Sequence, residues 1–129
     1  MSAKILIFDK SRESGEALAQ SITISYGNLF GSPVFSFHDP EDVFTKALPD
    51  TAIAAFFMLS TFYDAEAARK FNAFHEDVPL VLVSDSGEYG ALSWRLGTCY
   101  YLTRPIAGDK LRRALRKCAD NRWITVTPC

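Results

Sequence analysis

The sequence predicts an α/β domain: a five-stranded parallel sheet with helices on both of its faces. Three observations carry that prediction. Short apolar runs alternate with segments whose apolar residues recur at helical spacing. Several of those runs, 53–59 above all, are apolar at every position, as strands buried on both faces must be. Glycine, proline and aspartate punctuate the joints between runs and helices.

The first strand is Lys4-Ile-Leu-Ile-Phe-Asp9. Ser11 can cap the helix that follows, which carries Ala17, Leu18 and Ile22 on one face. Gly27, Asn28, Gly31 and Pro33 mark a loop, and Val34-Phe-Ser-Phe37 is the second strand. Asp39-Pro-Glu-Asp42 opens a helix, with a capping aspartate, proline at the first helical position and acids near the positive end of the dipole. Val43, Phe44 and Leu48 supply its apolar face. Ile53 to Leu59 is the third strand, followed from about Asp64 by a helix with Ala67, Ala68, Phe71 and Phe74 inward. Asp64 itself reads as a cap of that helix. Pro79 to Ser84 is the fourth strand, 87–96 a helix stopped by Gly97, and Tyr100 to Thr103 the fifth strand. The last helix begins at about Asp109, with Leu111, Ala114, Leu115 and Cys118 inward and Lys110, Arg112, Arg113, Arg116 and Lys117 outward. Right-handed crossovers between such units give a flavodoxin-like doubly wound sheet in strand order 2-1-3-4-5. The boundaries expected are a domain over 1–120 and a tail over 121–129.

At 129 residues and 48% apolar, the chain is long enough to bury a core as one domain. Three cysteines, an odd number without close spacing, argue against a disulfide framework or a zinc site, and Cys99 and Cys118 read as core residues. No run reaches the length of a membrane span, and the expected location is the cytoplasm. Net charge is −1, which excludes a global electrostatic pull toward nucleic acid or membrane. Residues 1–64 nonetheless hold four basic and eight acidic side chains, and residues 65–129 ten basic and seven acidic.

Ligand chemistry in this architecture gathers outside the carboxyl ends of the strands. Strand five ends in Arg104-Pro-Ile106, where proline sets the cation at the rim. Together with the Val78–Ser84 strand and Leu111-Arg-Arg-Ala-Leu115, this resembles bacterial response-regulator receiver domains, in which a lysine precedes that proline. The spacing of Glu88-Tyr-Gly-Ala-Leu92, Leu96-Gly97 and Tyr101-Leu102 is most similar to receivers joined to LytTR-type DNA-binding domains. Asn121 to Pro128 would then be a linker and the first strand of an output domain through which DNA is bound, although its alternation fits an edge strand equally well. The five cations of the last helix make only a modest footprint for direct DNA binding.

The resemblance implies a phosphorylation pocket, and this sequence departs from its pattern. Receivers hold magnesium between paired acids after strand one; Asp9 matches the first acid, but Lys10 stands in place of the second. The acceptor aspartate should close strand three, where Phe56, Phe57 or Met58 stands, Phe57 being the expected match; no carboxylate lies between Asp50 and Asp64. Ser84 resembles the hydroxyl that bonds the phosphoryl group, and Arg104 replaces the lysine. Asp85 can pair with Lys10 or Arg104 across the rim. Tyr101 matches the aromatic that moves between inward and outward rotamers.

The expectation is a degenerate receiver that works without phosphate, as a protein-interaction or dimerisation domain in signal transduction or transcription regulation. Its interface would be the 87–96 helix, strand five and the last helix, with Tyr89, Trp94, Tyr101, Arg112, Arg113 and Arg116. The alternative is an anion-binding module that uses Lys10 and Arg104. An enzyme is not expected, nor a cofactor or resident metal. There is no glycine-rich phosphate loop, no metal-spaced cluster, no nucleophile elbow, and His38 and His75 have no partner set for catalysis.

Overall fold

The computed structural model describes residues 3–26, 33–48, 52–85, 87–89, 95 and 100–123. Its strands are β1 (Ala3–Phe8), β2 (Pro33–His38), β3 (Ala54–Leu59), β4 (Leu80–Ser84) and β5 (Tyr100–Thr103). They form one sheet in the order β2-β1-β3-β4-β5, and every pairing is parallel. The described helices are α1 (Arg12–Tyr26), α2 (Asp42–Thr45), α3 (Phe62–Phe74) and α4 (Gly108–Trp123). This is the doubly wound arrangement that the sequence predicts. Most of the helix expected over 87–96, with Trp94, Gly97 and Cys99, lies outside the described residues, as does the loop over 27–32.

Strand alternation sorts the core into two layers. On one face Ile5, Ile7, Phe56, Met58, Val81 and Val83 pack against Leu18 and Ile22 of α1 and Leu111, Leu115 and Cys118 of α4. On the other, Leu6, Phe8, Phe57, Leu59 and Leu82 pack against Ala67, Ala68 and Phe71 of α3. All of β3 and β4 is buried, which explains why the central strands read as continuous apolar runs. Burial pushes the Cys118 thiol up to about 12, so this cysteine is a packing residue with almost no thiolate.

Several side chains depart from the expected pattern. In α1, Ala17 is exposed while Ala19 is buried. Asp39 makes a turn, accepting from the Glu41 amide at 2.9 Å, and the helix after it is only four residues long. It ends at Lys46, whose backbone is extended, three residues before Pro49. Leu48 still packs on the core from outside the helix, but Phe44 stays 38% exposed. Helix α3 starts at Phe62, two residues before Asp64, because Thr61 is its N-cap. Phe74 is 73% exposed, while the next residue, His75, stacks on Phe71 at 4.5 Å. Helix α4 follows its expected pattern, with Leu111, Ala114, Leu115 and Cys118 inward and the five cations exposed. It runs on through Trp123, three residues past the expected division between domain and tail; positions 124–129 lie outside the described residues.

Candidate functional site

The rim at the carboxyl ends of β1, β3, β4 and β5 is built from the β1–α1 joint outward. Asp9 follows β1 directly. Its amide donates to the His38 carbonyl at 3.0 Å, continuing the β1–β2 ladder by one bond. Its Oδ1 accepts from the Ser11 amide at 2.9 Å, and Ser11 Oγ accepts from the Ser14 amide at 3.1 Å, so serine caps α1 as its position predicts. This leaves Asp9 Oδ2, on a side chain only 7% exposed, facing Arg104 Nη2 at 3.7 Å.

Arg104 is aimed from the other side of the rim. Its amide donates to the Ser84 carbonyl at 2.9 Å, extending the β4–β5 ladder past Thr103, and its bond to Pro105 is cis. The guanidinium lies between Asp9 and Asp85, with Asp85 Oδ1 at 3.8 Å from Nη1, and it donates to Ser14 Oγ. The expected pairing of Asp85 is therefore made with Arg104. Asp85 is 77% exposed, so that contact is weak, whereas Asp9 is sheltered.

Lys10 turns the other way. Its Nζ stands 3.3 Å from Oδ1 of Asp64, whose side chain is 1% exposed. Asp64 is already committed locally: Oδ2 accepts from the Ser60 amide at 2.9 Å and the Thr61 amide at 3.1 Å, while Thr61 Oγ1 accepts from the Asp64 amide. This is a capping box with Asp64 at the third helical position. The same ammonium lies 5.9 Å from the Tyr63 ring centroid. One carboxylate thus closes the start of α3 and ties it to the β1–α1 joint.

The expected acceptor position requires a correction. Phe57 is not at the rim: it is fully buried in the α3-side layer, stacked on Phe8 at 4.2 Å and tilted against Phe71 at 5.5 Å. Alternation along β3 turns it away from the face where Asp9 and Arg104 meet. Met58 instead lines a groove of about 720 Å³ with Ser14, Asp85 and Arg104. Ser84 closes β4, buried and in register with Leu59 and Thr103. The structure brings together Asp9, Ser84, Asp85 and Arg104, with Lys10 at their margin on Asp64.

This donor set does not fit a magnesium ion. Such an ion needs several oxygen ligands with offsetting charge. All six side chains of β3 are apolar and buried, and the ammonium of Lys10 and the guanidinium of Arg104 already face the nearest carboxylates. Among the described residues no cluster of three His, Cys, Asp or Glu could hold a metal. Nor do Lys10 and Arg104 converge on one point, since they engage different carboxylates, as an anion site between them would require.

Beside the rim, His38 stacks on Phe8 at 5.1 Å and shares a 2.7 Å contact between its Nε2 and Ser36 Oγ. Burial lowers its pKa from the ordinary 6.5, against the opposing pull of Asp42 3.8 Å from Nδ1. Tyr89 and Tyr101 pack on the α3-side layer, both half-buried. Desolvation, with Glu88, Asp64 and Tyr101 nearby, raises the pKa of Tyr89. Arg112, Arg113 and Arg116 are exposed on α4, and Trp94 lies outside the described residues. Sequence reasoning missed the partnership of Asp64 with Lys10, of Ser14 with Arg104, and of Tyr100 with Lys117, whose ammonium is 5.9 Å from the ring centroid. The Thr61-x-x-Asp64 spacing did signal the cap; nothing in one dimension signals the two pairs across the rim.

Among solved structures, the chain is similar to a candidate pilus assembly protein of Burkholderia thailandensis at 19% identity and TM-score 0.75, covering 92% of this chain and 98% of that one. It is similar to a CheY-like response-regulator receiver domain of Methanospirillum hungatei at 15% identity and TM-score 0.71, covering 97% and 99%. A third is the receiver domain of a Pseudomonas aeruginosa sensor histidine kinase, described with magnesium in its active-site cleft, at 14% identity, TM-score 0.71 and 93% and 99% coverage. No family model matches the chain, and neither does any curated protein. The fold is that of CheY-like receiver domains.

Proposed function

We propose that this chain is a receiver-fold regulatory domain that acts through protein contacts without accepting a phosphoryl group. The observation that carries the reading is the composition of the rim. β3 delivers no oxygen side chain to it, and the cation Lys10 stands after Asp9. Phosphoryl transfer to a receiver needs an in-line oxygen nucleophile and a charge-compensating metal. Asp64, the nearest carboxylate beyond β3, has one oxygen on two backbone amides and the other against Lys10. Its use as a nucleophile would dismantle the start of α3.

What remains for the fold is display. The edge strand β5 carries Tyr100 and Tyr101 on opposite faces, and α4 sets Arg112, Arg113 and Arg116 in solvent beside it. Aromatic and arginine side chains in one patch suit an interface. The domain dimerises through this face. The chain's likeness to a candidate pilus assembly protein is compatible with a structural partner as much as a transcriptional one. Sedimentation velocity at high micromolar concentration tests it: the wild-type chain is expected to sediment as a dimer and Arg113→Glu/Arg116→Glu as a monomer. A monomeric wild type would remove this interface from the proposal.

A further inference from the structure

The opposite face of the sheet from α4 carries a surface that the dimer does not use. Phe44 and Phe74 both have core positions in the helical patterns of the sequence, yet they stand 38% and 73% exposed. Tyr63, at 46% exposure, joins them, its ring centroid 5.4 Å from that of Phe44. Tyr63, Lys70 and Phe74 fall on one stripe of α3, with spacings of seven and four residues. The Lys70 ammonium is held over two of these rings, 5.0 Å from the centroid of Phe44 and 5.8 Å from that of Phe74.

The charges around this patch decide what covers it. Lys46 is paired with Asp42 at 3.4 Å, Arg69 with Glu66 at 3.2 Å, and Lys10 with Asp64 at 3.3 Å. No carboxylate among the described residues stands within ion-pair distance of Lys70. Among the described residues, the face therefore offers one cation, Lys70, that is framed by aromatic rings and makes no ion pair with a described carboxylate. One such cation is too little to hold an anionic membrane surface, where several basic residues must act together. It is well matched to one carboxylate on a peptide whose neighbouring apolar side chains cover the rings, in the anchor-and-rim pattern of protein interfaces.

We infer that the α2–α3 face, through Phe44, Tyr63, Lys70 and Phe74, docks a protein segment that carries an acidic residue between apolar ones. This site lies across the sheet from α4, so it stands or falls independently of the dimer.

The test is selection of random dodecapeptides displayed on phage against the full chain. A Tyr63→Ser/Lys70→Ser/Phe74→Ser variant serves in parallel, with the single Lys70→Gln variant as the milder control. The expected result is enrichment on the wild type alone of peptides with Asp or Glu flanked by apolar residues. A synthetic peptide of that consensus shifts the amide signals of Phe44, Tyr63, Lys70 and Phe74. Replacing its acid by the amide weakens binding on the order of ten-fold, as Lys70→Gln does. Equal enrichment on wild type and triple variant, a consensus without an acid, or no enrichment overturns the inference. So does self-association or binding to anionic vesicles that the triple variant abolishes, since either names a different occupant.

Discussion

Asp64 carries two loads through one carboxylate: it closes the first turn of α3 with Thr61, and it receives Lys10 from the β1–α1 joint. The two can be separated by substitution. Lys10→Ala removes a half-exposed ammonium and is expected to cost about 0.5–1 kcal/mol, in the range of partly solvated ion pairs. Asp64→Ala also strips the cap from two amides and is expected to cost about 2 kcal/mol. Urea unfolding of both single variants and the double variant measures the coupling, and equal costs would show that the cap contributes nothing beyond the ion pair. His38 supplies the pH dependence. Its pKa is depressed by burial, so below about pH 6.5 the unfolded chain takes up a proton that the folded chain resists. Its contribution is complete above that pH and is lost as pH falls toward the folded value. Stability is expected to decline from pH 7 to 5.5 in the wild type and to decline less in His38→Gln; identical slopes would contradict the assignment.

At the scale of elements, the strands were the most legible part of the chain. Ile53 to Leu59 and Pro79 to Val83 are apolar without interruption because the sheet is covered on both faces, and their shortness separates them from a buried helix. Helix ends were less legible, since they depend on which capping bond wins. Asp64 was visible as a cap, but its reach back to Thr61 starts the helix at Phe62. Phe44 and Phe74 obey helical spacing and still face solvent, because periodicity names a face and not what covers it. One element carries a local cost. Gly15 sits inside α1 with no positive φ, and a Cβ there would meet its nearest atom, Phe37 Cδ1, at 3.4 Å, an ordinary contact with a half-buried ring. Gly15→Ala is expected to raise stability by about 0.5–1 kcal/mol through helix propensity and a stiffer unfolded chain. A loss in the urea midpoint would show that the ring cannot yield.

For the whole molecule, the sheet order followed from strand count, parallel pairing and crossover handedness, all readable in the pattern. The rim was legible in its inventory and not in its wiring. Asp9, Lys10, Ser84, Asp85 and Arg104 were named from strand ends, but Phe57 was placed one residue off the face that matters, and a period of two turns such a slip into the opposite layer. Lys10 and Arg104 looked like a pair of cations facing one ligand. In three dimensions each meets a carboxylate of its own, from segments distant in the chain. The wiring sets both rim cations against carboxylates of the chain itself, and this supports the proposal of a receiver fold that acts without phosphate.

The most direct measurement is a two-dimensional amide spectrum of the chain before and after addition of magnesium and beryllofluoride. No change is expected at Asp9, Lys10, Ser84, Tyr101 or Arg104. Strong shifts at those residues would contradict it, and would mean that a carboxylate, Asp64 first among them, is released from its cap to take the phosphoryl group.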